Sequence, residues 1–302
     1  MTKRVGIVGA RGYVGAELVR LIEASDHLEL AFVGSRSDSG RPLSEVVAGA
    51  RSDLRLEPVT SGSPRLSEVD AVVLALPNGL AAPFVAGAAR VIDLSADFRF
   101  DDSWIYGLPE RFRDRIRGAR HIANPGCYAT AASLAIAPLV DDLAAPPRIF
   151  GVSGYSGAGT TPSERNDPER LRDNLMPYAL VGHTHEREIA RHLPHPVRFM
   201  PHVASFFRGI CLTIDLELRG PGDLFARYAE RYRDEPLVRV TEAAPLVRDV
   251  ANRHEVCIGG FTTDGTRAVI VATIDNLLKG AATQALQNLN LALGHDELAG
   301  IV

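Results

Sequence analysis

In the stretch Asn124-Pro125-Gly126-Cys127-Tyr128, Pro125 and Gly126 break whatever precedes them. The alanine-rich run from Cys127 through Ala135 then predicts a helix with the thiol in its first turn. Unpaired backbone N–H groups and the positive end of the helix dipole favour an anion at that position, which raises the thiolate fraction. A thiolate is a nucleophile. Cys211 and Cys257 sit in apolar β-type runs without such a setting and read as core residues. His183 and His185 open a segment that reads as a helix with Ile189, Ala190 and Leu193 on its apolar side. Histidines at i and i+2 cannot share one helical face, so at most one of the two aims at a given atom. A histidine near the Cys127 thiol could take its proton and return it, with Glu188 or another acceptor on the far ring nitrogen. His183, His185, His192, His195 and His202 are close in sequence, yet no H-E-x-x-H pattern or second Cys/His cluster accompanies them, so no metal site is expected.

Such groups need a frame, and the first half of the chain predicts one. Val5-Gly6-Ile7-Val8-Gly9 is a buried β-type run, followed by Gly9-Ala10-Arg11-Gly12-Tyr13-Val14-Gly15 and an amphipathic helix to about Ala24. Glycines spaced G-x-x-G-x-x-G let the backbone approach a pyrophosphate and point the helix N-terminus at its charge, so residues 9–15 are candidate cofactor ligands. After the second strand, Leu28 to Val33, an NAD site would place an acidic residue against the ribose 2′-hydroxyl. Ser35 and Arg36 stand there instead and suit a 2′-phosphate, which favours NADP; Asp38 keeps the NAD alternative open. Val69 to Leu76 and Val91 to Leu94 read as further buried strands, with an alanine-rich helix to about Ala89 between them. Alternating strands and helices from residue 4 to 126 describe a doubly wound parallel sheet, whose ligands lie at the carboxyl ends of the strands. Pro77, Ser95, Arg99 and Cys127 all follow such ends and are expected to meet in one crevice.

Beyond Cys127 the pattern changes. Arg148 to Gly154 reads as a strand entering a loop of small residues, and a polar excursion follows to about Tyr178. Gly209 to Leu218, Val256 to Phe261 and Ala268 to Ile274 are β-rich without regular helices between them, which predicts a mixed or antiparallel sheet. The expected organisation is a Rossmann-type nucleotide domain over residues 1–126 and an α+β catalytic domain over 127–275, with a last helix within 276–302 returning to the first.

Bulk properties narrow the function. A formal charge of −4 argues against a nucleic-acid binder. Three irregularly spaced cysteines exclude a disulfide framework and fit a reducing, cytoplasmic setting. There is no signal-peptide pattern and no apolar run of membrane-spanning length, so no membrane partner is expected.

Several stretches together resemble the N-acetyl-γ-glutamyl-phosphate reductases of arginine biosynthesis, in the wider group that contains aspartate-semialdehyde dehydrogenase. They are Gly9 to Leu18, Leu94-Ser95-Ala96-Asp97-Phe98-Arg99, Asn124 to Thr130, Gly151 to Gly159, Gly182 to Ile189 and Asp275-Asn276-Leu277-Leu278-Lys279-Gly280-Ala281. Asn78 stands where that family often has His, and Arg187 where it often has Pro. The resemblance implies that Cys127 thiolate attacks an acyl phosphate, phosphate leaves, the thioester takes a hydride from NADPH, and the thiohemiacetal collapses to an aldehyde. It implies His183, in preference to His185, as the proton-transfer group oriented by Glu188. Arg99, Asn124, Ser153, Ser156, Tyr178 and His185 would then hold phosphate or carboxylate, in a homodimer or homotetramer. Rival readings are a reductase of aspartyl, N-succinylglutamyl or carrier-bound aminoadipyl phosphate, and a non-catalytic NADP sensor.

Overall fold

The computed structural model describes residues 1–35 and 37–301, so Arg36 lies outside the described residues. The chain divides into two compact units, one formed by Met1–Gly126 with Ala281–Val302, the other by Cys127–Gly280.

The first unit is built on a seven-stranded sheet of β1 (Lys3–Val8), β2 (Leu28–Gly34), β3 (Leu56–Glu57), β4 (Ala71–Leu74), β5 (Val91–Asp93), β6 (Ile105–Tyr106) and β7 (His121–Ala123). Its order is β3-β2-β1-β4-β5-β7-β6 and every pairing is parallel, as the fold class read from the sequence requires. Parallel strands are covered on both faces, which is why β4 and, from Val5 onward, β1 run as buried apolar segments. The chain winds outward in opposite directions from β1 and β4, so the topological switch point lies at their carboxyl ends.

Two predicted elements differ from expectation. The alanine-rich stretch after Gly79 is a 3₁₀ turn, Ala82–Gly87, in which only Phe84 is buried. Alanine favours helix, but a short segment with one anchoring side chain lacks the apolar stripe that sustains one. The last helix, expected from Leu277, is α-helical over Thr283–Leu293 and is preceded by a π turn at Leu278–Ala282. The Asp275 carboxylate accepts from the N–H groups of Leu277 and Leu278, and the Asp275 carbonyl accepts from Gly280, an i to i+5 bond that widens the turn. The Thr283–Leu293 helix packs on the helices Tyr13–Glu23 and Pro109–Ile116 within the first unit. Much of its buried polar face is paired there: Asn288 donates to the Gly107 carbonyl and to Asn124, and Gln287 donates to Glu297.

The second unit carries a mixed seven-stranded sheet ordered β12-β13-β14-β11-β8-β10-β9. These strands are β8 (Arg148–Gly154), β9 (Leu175–Pro177), β10 (Arg198–Ala204), β11 (Ile210–Glu217), β12 (Val238–Val240), β13 (Val256–Asp264) and β14 (Arg267–Ile274). β8 pairs parallel to β10 and antiparallel to β11. The helices Cys127–Ile136, Thr184–His192 and Leu224–Arg231 belong to this unit, and the first packs on β11 and β14. On the opposite sheet face the register aligns Met200, Phe150, Thr213 and Val271 in one row across four strands. None of these four is buried.

Candidate active site

At the carboxyl end of β1 the three glycines of the turn have different reasons. Gly9 has φ +97°, and a Cβ there would lie 2.3 Å from the Ala75 carbonyl oxygen; a Cβ on Gly15 would lie 2.6 Å from the Ala10 Cα. Packing within the unit therefore accounts for both. Gly12 has an ordinary extended backbone, φ −66°, as the N-cap of the Tyr13–Glu23 helix. The nearest atom to a Cβ on it would be the Gly9 carbonyl oxygen at 3.8 Å. The protein's own packing does not need glycine here, whereas a pyrophosphate approaching the N-terminus of this helix does. Ala10, Arg11, Tyr13 and Val14 complete the turn.

At the end of β2 the Ser35 N–H donates to the Glu57 carbonyl. Asp38 accepts from the Ser37 hydroxyl and from Arg41, and Arg11 stands 3.7 Å from it. These contacts, the Ser37 hydrogen bond first, hold its carboxyl below the usual carboxylate range.

The loops after β4 and β5 are tied together. Asn78 Oδ1 accepts from the Ala96 N–H, and the Asp97 carboxylate accepts from the N–H groups of Gly79 and Ala81. The Asn78 side chain thus serves as an acceptor that ties the loop after Pro77 to the one after β5. The Ser95 hydroxyl donates to Asp93, whose buried carboxyl is pushed up by desolvation. Arg99 is 8% exposed and donates to the carbonyls of Asn124 and Leu94, while the Asn124 amide donates to the Ala281 carbonyl. Ser95, Arg99 and Asn124 thus join the carboxyl-end loops of the parallel sheet to one another.

In the second unit Cys127 is the first residue of the Cys127–Ile136 helix, where the sequence reading puts it. The π turn presses on it, since a Cβ on Gly280 would come 2.8 Å from the Cys127 Cβ and 3.0 Å from the Asp275 carbonyl oxygen. Asp275 is fully buried, pairs with Arg208 at 2.9 Å and accepts from the Asn252 N–H. Asn276 bridges the Gly209 N–H and the Ser156 hydroxyl. The Ser153 hydroxyl donates to the Gly154 carbonyl. Both serines are buried among their own loops.

Rings surround this helix start. The Tyr128 hydroxyl donates to the His202 carbonyl at 3.0 Å, and its ring packs on Phe199 and His185. His183 stands edge-on to Tyr178 at 5.5 Å and 5.0 Å from His185. The Tyr178 backbone is fixed by its N–H to the Pro201 carbonyl. Burial and then the negative charge of a Cys127 thiolate push the Tyr178 phenol up to about 12, so it stays protonated. Tyr178, His183 and His185 are therefore neighbours, and Tyr178 lies within electrostatic reach of Cys127 in the same unit.

His183 is the N-cap of the Thr184–His192 helix, and its Nδ1 accepts from the His185 N–H at 3.1 Å. That bond places a lone pair on Nδ1 and the ring proton on Nε2. The far ring nitrogen is thus held by a backbone amide rather than by Glu188, which is fully buried in the same helix. Burial first, then the Arg165 charge, hold the imidazole below its usual range, while Glu186 and Glu188 pull the other way. Glu186 completes the helix start by accepting from the Gly182 and Phe199 N–H groups. The Arg187 N–H donates to the His183 carbonyl at 3.4 Å, a long bond that a proline there would forfeit.

Tyr128, Phe199, Asp275, Gly280 and Arg165 were not singled out by sequence reasoning. Tyr128, Asp275 and Gly280 lie in motifs already noted, and Phe199 lies on β10, which the sequence pattern does not reveal. Arg165 sits in the polar excursion, where local sequence carries no chemical signal. Among the described residues no group of three or more His, Cys, Asp and Glu could hold a metal ion, and no helix is long and apolar enough to cross a membrane.

Two family models match the chain: "Semialdehyde dehydrogenase, NAD binding domain" over residues 4–119 and "Semialdehyde dehydrogenase, dimerisation domain" over 127–276. The N-acetyl-gamma-glutamyl-phosphate reductase of Xanthomonas oryzae pv. oryzae is 55% identical, covering 99% of this chain and 98% of that protein. That of Xylella fastidiosa is 54% identical, covering 99% and 93%. Among solved structures, aspartate semialdehyde dehydrogenase II of Vibrio cholerae superposes with a TM-score of 0.78 at 20% identity, covering 97% of this chain and 99% of that one. The Candida albicans aspartate semialdehyde dehydrogenase superposes with a TM-score of 0.75 at 14% identity, covering 97% and 99%, a likeness of fold. With a parallel nucleotide sheet, a mixed sheet bearing the helix-start cysteine, and this full-length identity, the chain belongs to the N-acetyl-γ-glutamyl-phosphate reductases, an oxidoreductase family of the semialdehyde dehydrogenase group that uses a nicotinamide cofactor.

Proposed function

We propose that the protein reduces N-acetyl-γ-glutamyl phosphate to N-acetylglutamate semialdehyde and inorganic phosphate, a step of arginine biosynthesis. The observation that carries this reading is Cys127 in the first turn of its helix, within electrostatic reach of Tyr178, whose ring packs edge-on to His183, in a chain matched end to end by reductases of that name.

NADPH, when bound, supplies the hydride. Residues 9–15 would hold the pyrophosphate, with Gly12 leaving the open space, and Ser35 with Arg11 would receive the 2′-phosphate, a role the sequence also offers to Arg36, outside the described residues. NADP is favoured over NAD because the nearest acid, Asp38, already answers to Arg41 and Arg11. Pro77 and Ser95 shape the loops that meet the cofactor. Cys127 thiolate attacks the acyl carbon, the carbon–oxygen bond to phosphate breaks, and a thioester remains on the sulfur. Reduction leaves a negative oxygen on that carbon, the carbon–sulfur bond then breaks, and the aldehyde departs as thiolate is restored. His183 serves this oxygen as an Nε2–H donor, the tautomer its cap bond selects, in place of the base role read from sequence. Tyr178 and His185 line the substrate, Ser153 and Ser156 hold the turn beneath it, and Glu188 supports the helix that presents His183. Arg99 and Asn124 position loops.

A homodimer is supported by the unburied, largely apolar row Met200, Phe150, Thr213 and Val271, in the unit matched by a dimerisation-domain model.

The test is the reverse reaction, phosphate-dependent NADP reduction across a panel of semialdehydes. N-acetylglutamate semialdehyde is expected to be the best substrate. Preference for aspartate semialdehyde or N-succinylglutamate semialdehyde, or no turnover with any, would overturn the assignment.

A further inference from the structure

Within the second unit several basic side chains are paired with carboxylates. Arg208 meets Asp275, Arg148 and Arg267 share Asp215, Arg227 meets Asp142, and Arg239 meets Glu255. Arg165 is different. Its guanidinium carbon stands 4.9 Å from the centroid of the Tyr178 ring, and among the described residues no carboxylate pairs with it. The acids flanking it are engaged elsewhere: Glu164 with Arg170, Glu169 with Arg172, and Asp167 on the N-terminus of the Pro168–Leu171 helix.

The segment that presents Arg165 is well braced for an excursion. Ser163 and Asn166 form a reciprocal cap, and the Asn166 amide donates to the carbonyls of Gly159 and Thr161. The bond to Gly159 ties the turn to the end of the Ser153 to Gly159 loop. Beneath the guanidinium, Tyr178 is edge-on to His183. The Arg165 charge is felt at both His183 and Tyr178, and Tyr178 in turn feels Cys127.

We propose that Arg165 is a substrate-binding residue, its guanidinium stacked on Tyr178 so that its free edge takes an anionic group of the acyl phosphate. The inference rests on the acyl-phosphate reading above. Such a substrate brings two anions, a phosphate on the carbon that Cys127 attacks and a carboxylate at the far end of the acyl chain. A planar guanidinium matches either with two parallel hydrogen bonds, and an aromatic ring beneath it holds the plane without consuming its donors.

Arg165→Gln and Arg165→Lys test this in the whole enzyme, since the side chain is exposed and its loss leaves the loop's own bonds intact. In the reverse reaction Arg165→Gln is expected to raise a KM about tenfold or more while kcat moves less than about threefold, with Arg165→Lys recovering part of the loss. A rise confined to phosphate assigns the phosphate as ligand; a rise confined to the semialdehyde assigns the carboxylate. Both KM values within twofold of wild type would overturn the proposal. A second readout does not need turnover: the rate of Cys127 alkylation by iodoacetamide, protected by inorganic phosphate or by N-acetylglutamate. Protection by at least one of them in the wild type, weakened about tenfold in Arg165→Gln, supports the site even if the preferred semialdehyde proves to be another. Equal protection in both proteins, or none in the wild type, sinks it.

Discussion

Three side chains at the reactive cluster have sharply separable roles. Cys127 at the head of its helix carries the covalent step, so Cys127→Ser should lower kcat by at least about a thousandfold with folding unchanged, measured by turnover and thermal melting. His183 combines a structural and a chemical task, since its Nδ1 caps a helix and its Nε2–H faces outward from that bond. Asparagine caps helices well, so His183→Asn should keep the melting temperature within a few degrees while activity falls about 10²–10⁴-fold. A large loss of stability instead would show that the ring packing on Phe199 and Tyr178 matters more than the cap. The pH behaviour follows from the same residue. Burial and Arg165 hold the folded imidazole below its usual range, so below pH of about 6.5 the unfolded chain binds more protons than the native one. This contribution to stability is therefore complete above that pH and is lost as pH falls through the folded value. Removing the Arg165 charge relaxes the depression, and the acid limb of kcat/KM in Arg165→Gln should move to higher pH than in wild type.

At the scale of an element, the π turn at Leu278–Ala282 is the part whose geometry bears most directly on the nucleophile. Gly280 has no room for a side chain against Cys127, so Gly280→Ala must displace the cysteine, the turn, or both. Overpacking of this kind costs about 1–3 kcal/mol. A shift of the sulfur by about 1 Å costs about a hundredfold in rate. The expected result is a kcat loss that exceeds the stability loss, with nucleotide affinity unchanged by fluorescence titration. Asp275 holds the same turn through two amides and pairs with Arg208. Asp275→Ala leaves a largely buried guanidinium and several N–H groups without their acceptor, and should destabilise the protein by about 3–5 kcal/mol in urea unfolding.

For the whole molecule, the unburied row on the mixed sheet makes self-association the measurable consequence. Phe150 is 39% exposed at the centre of that row. Sedimentation should give a dimer for the wild type, and Phe150→Glu should shift it to monomer, because a carboxylate buried against a second apolar face has no partner. A monomeric wild type would remove the basis for this assembly.

Much of this protein is written locally. The doubly wound sheet could be expected from buried apolar runs such as Val5–Val8 and Ala71–Leu74 separated by glycine turns, because in parallel sheets each strand's own composition reports its burial. The position of Cys127 in a first helical turn followed from Pro125, Gly126 and the alanines after them, all within one helix length. β10 did not show itself, since Pro201 and His202 interrupt its apolar pattern and its place beside β8 is set by pairing across a long excursion. The α-helix expected before Ala89 failed for the complementary reason, good propensity with little to bury. The tertiary structure alone decided which nitrogen of His183 bears the proton, what Gly280 must make room for, and that Arg165 lies over Tyr178. The first depends on the backbone turn that sets the His185 N–H against Nδ1, the other two on side chains and turns brought together from separate segments, and a one-dimensional pattern of polarity and spacing carries no term for such meetings.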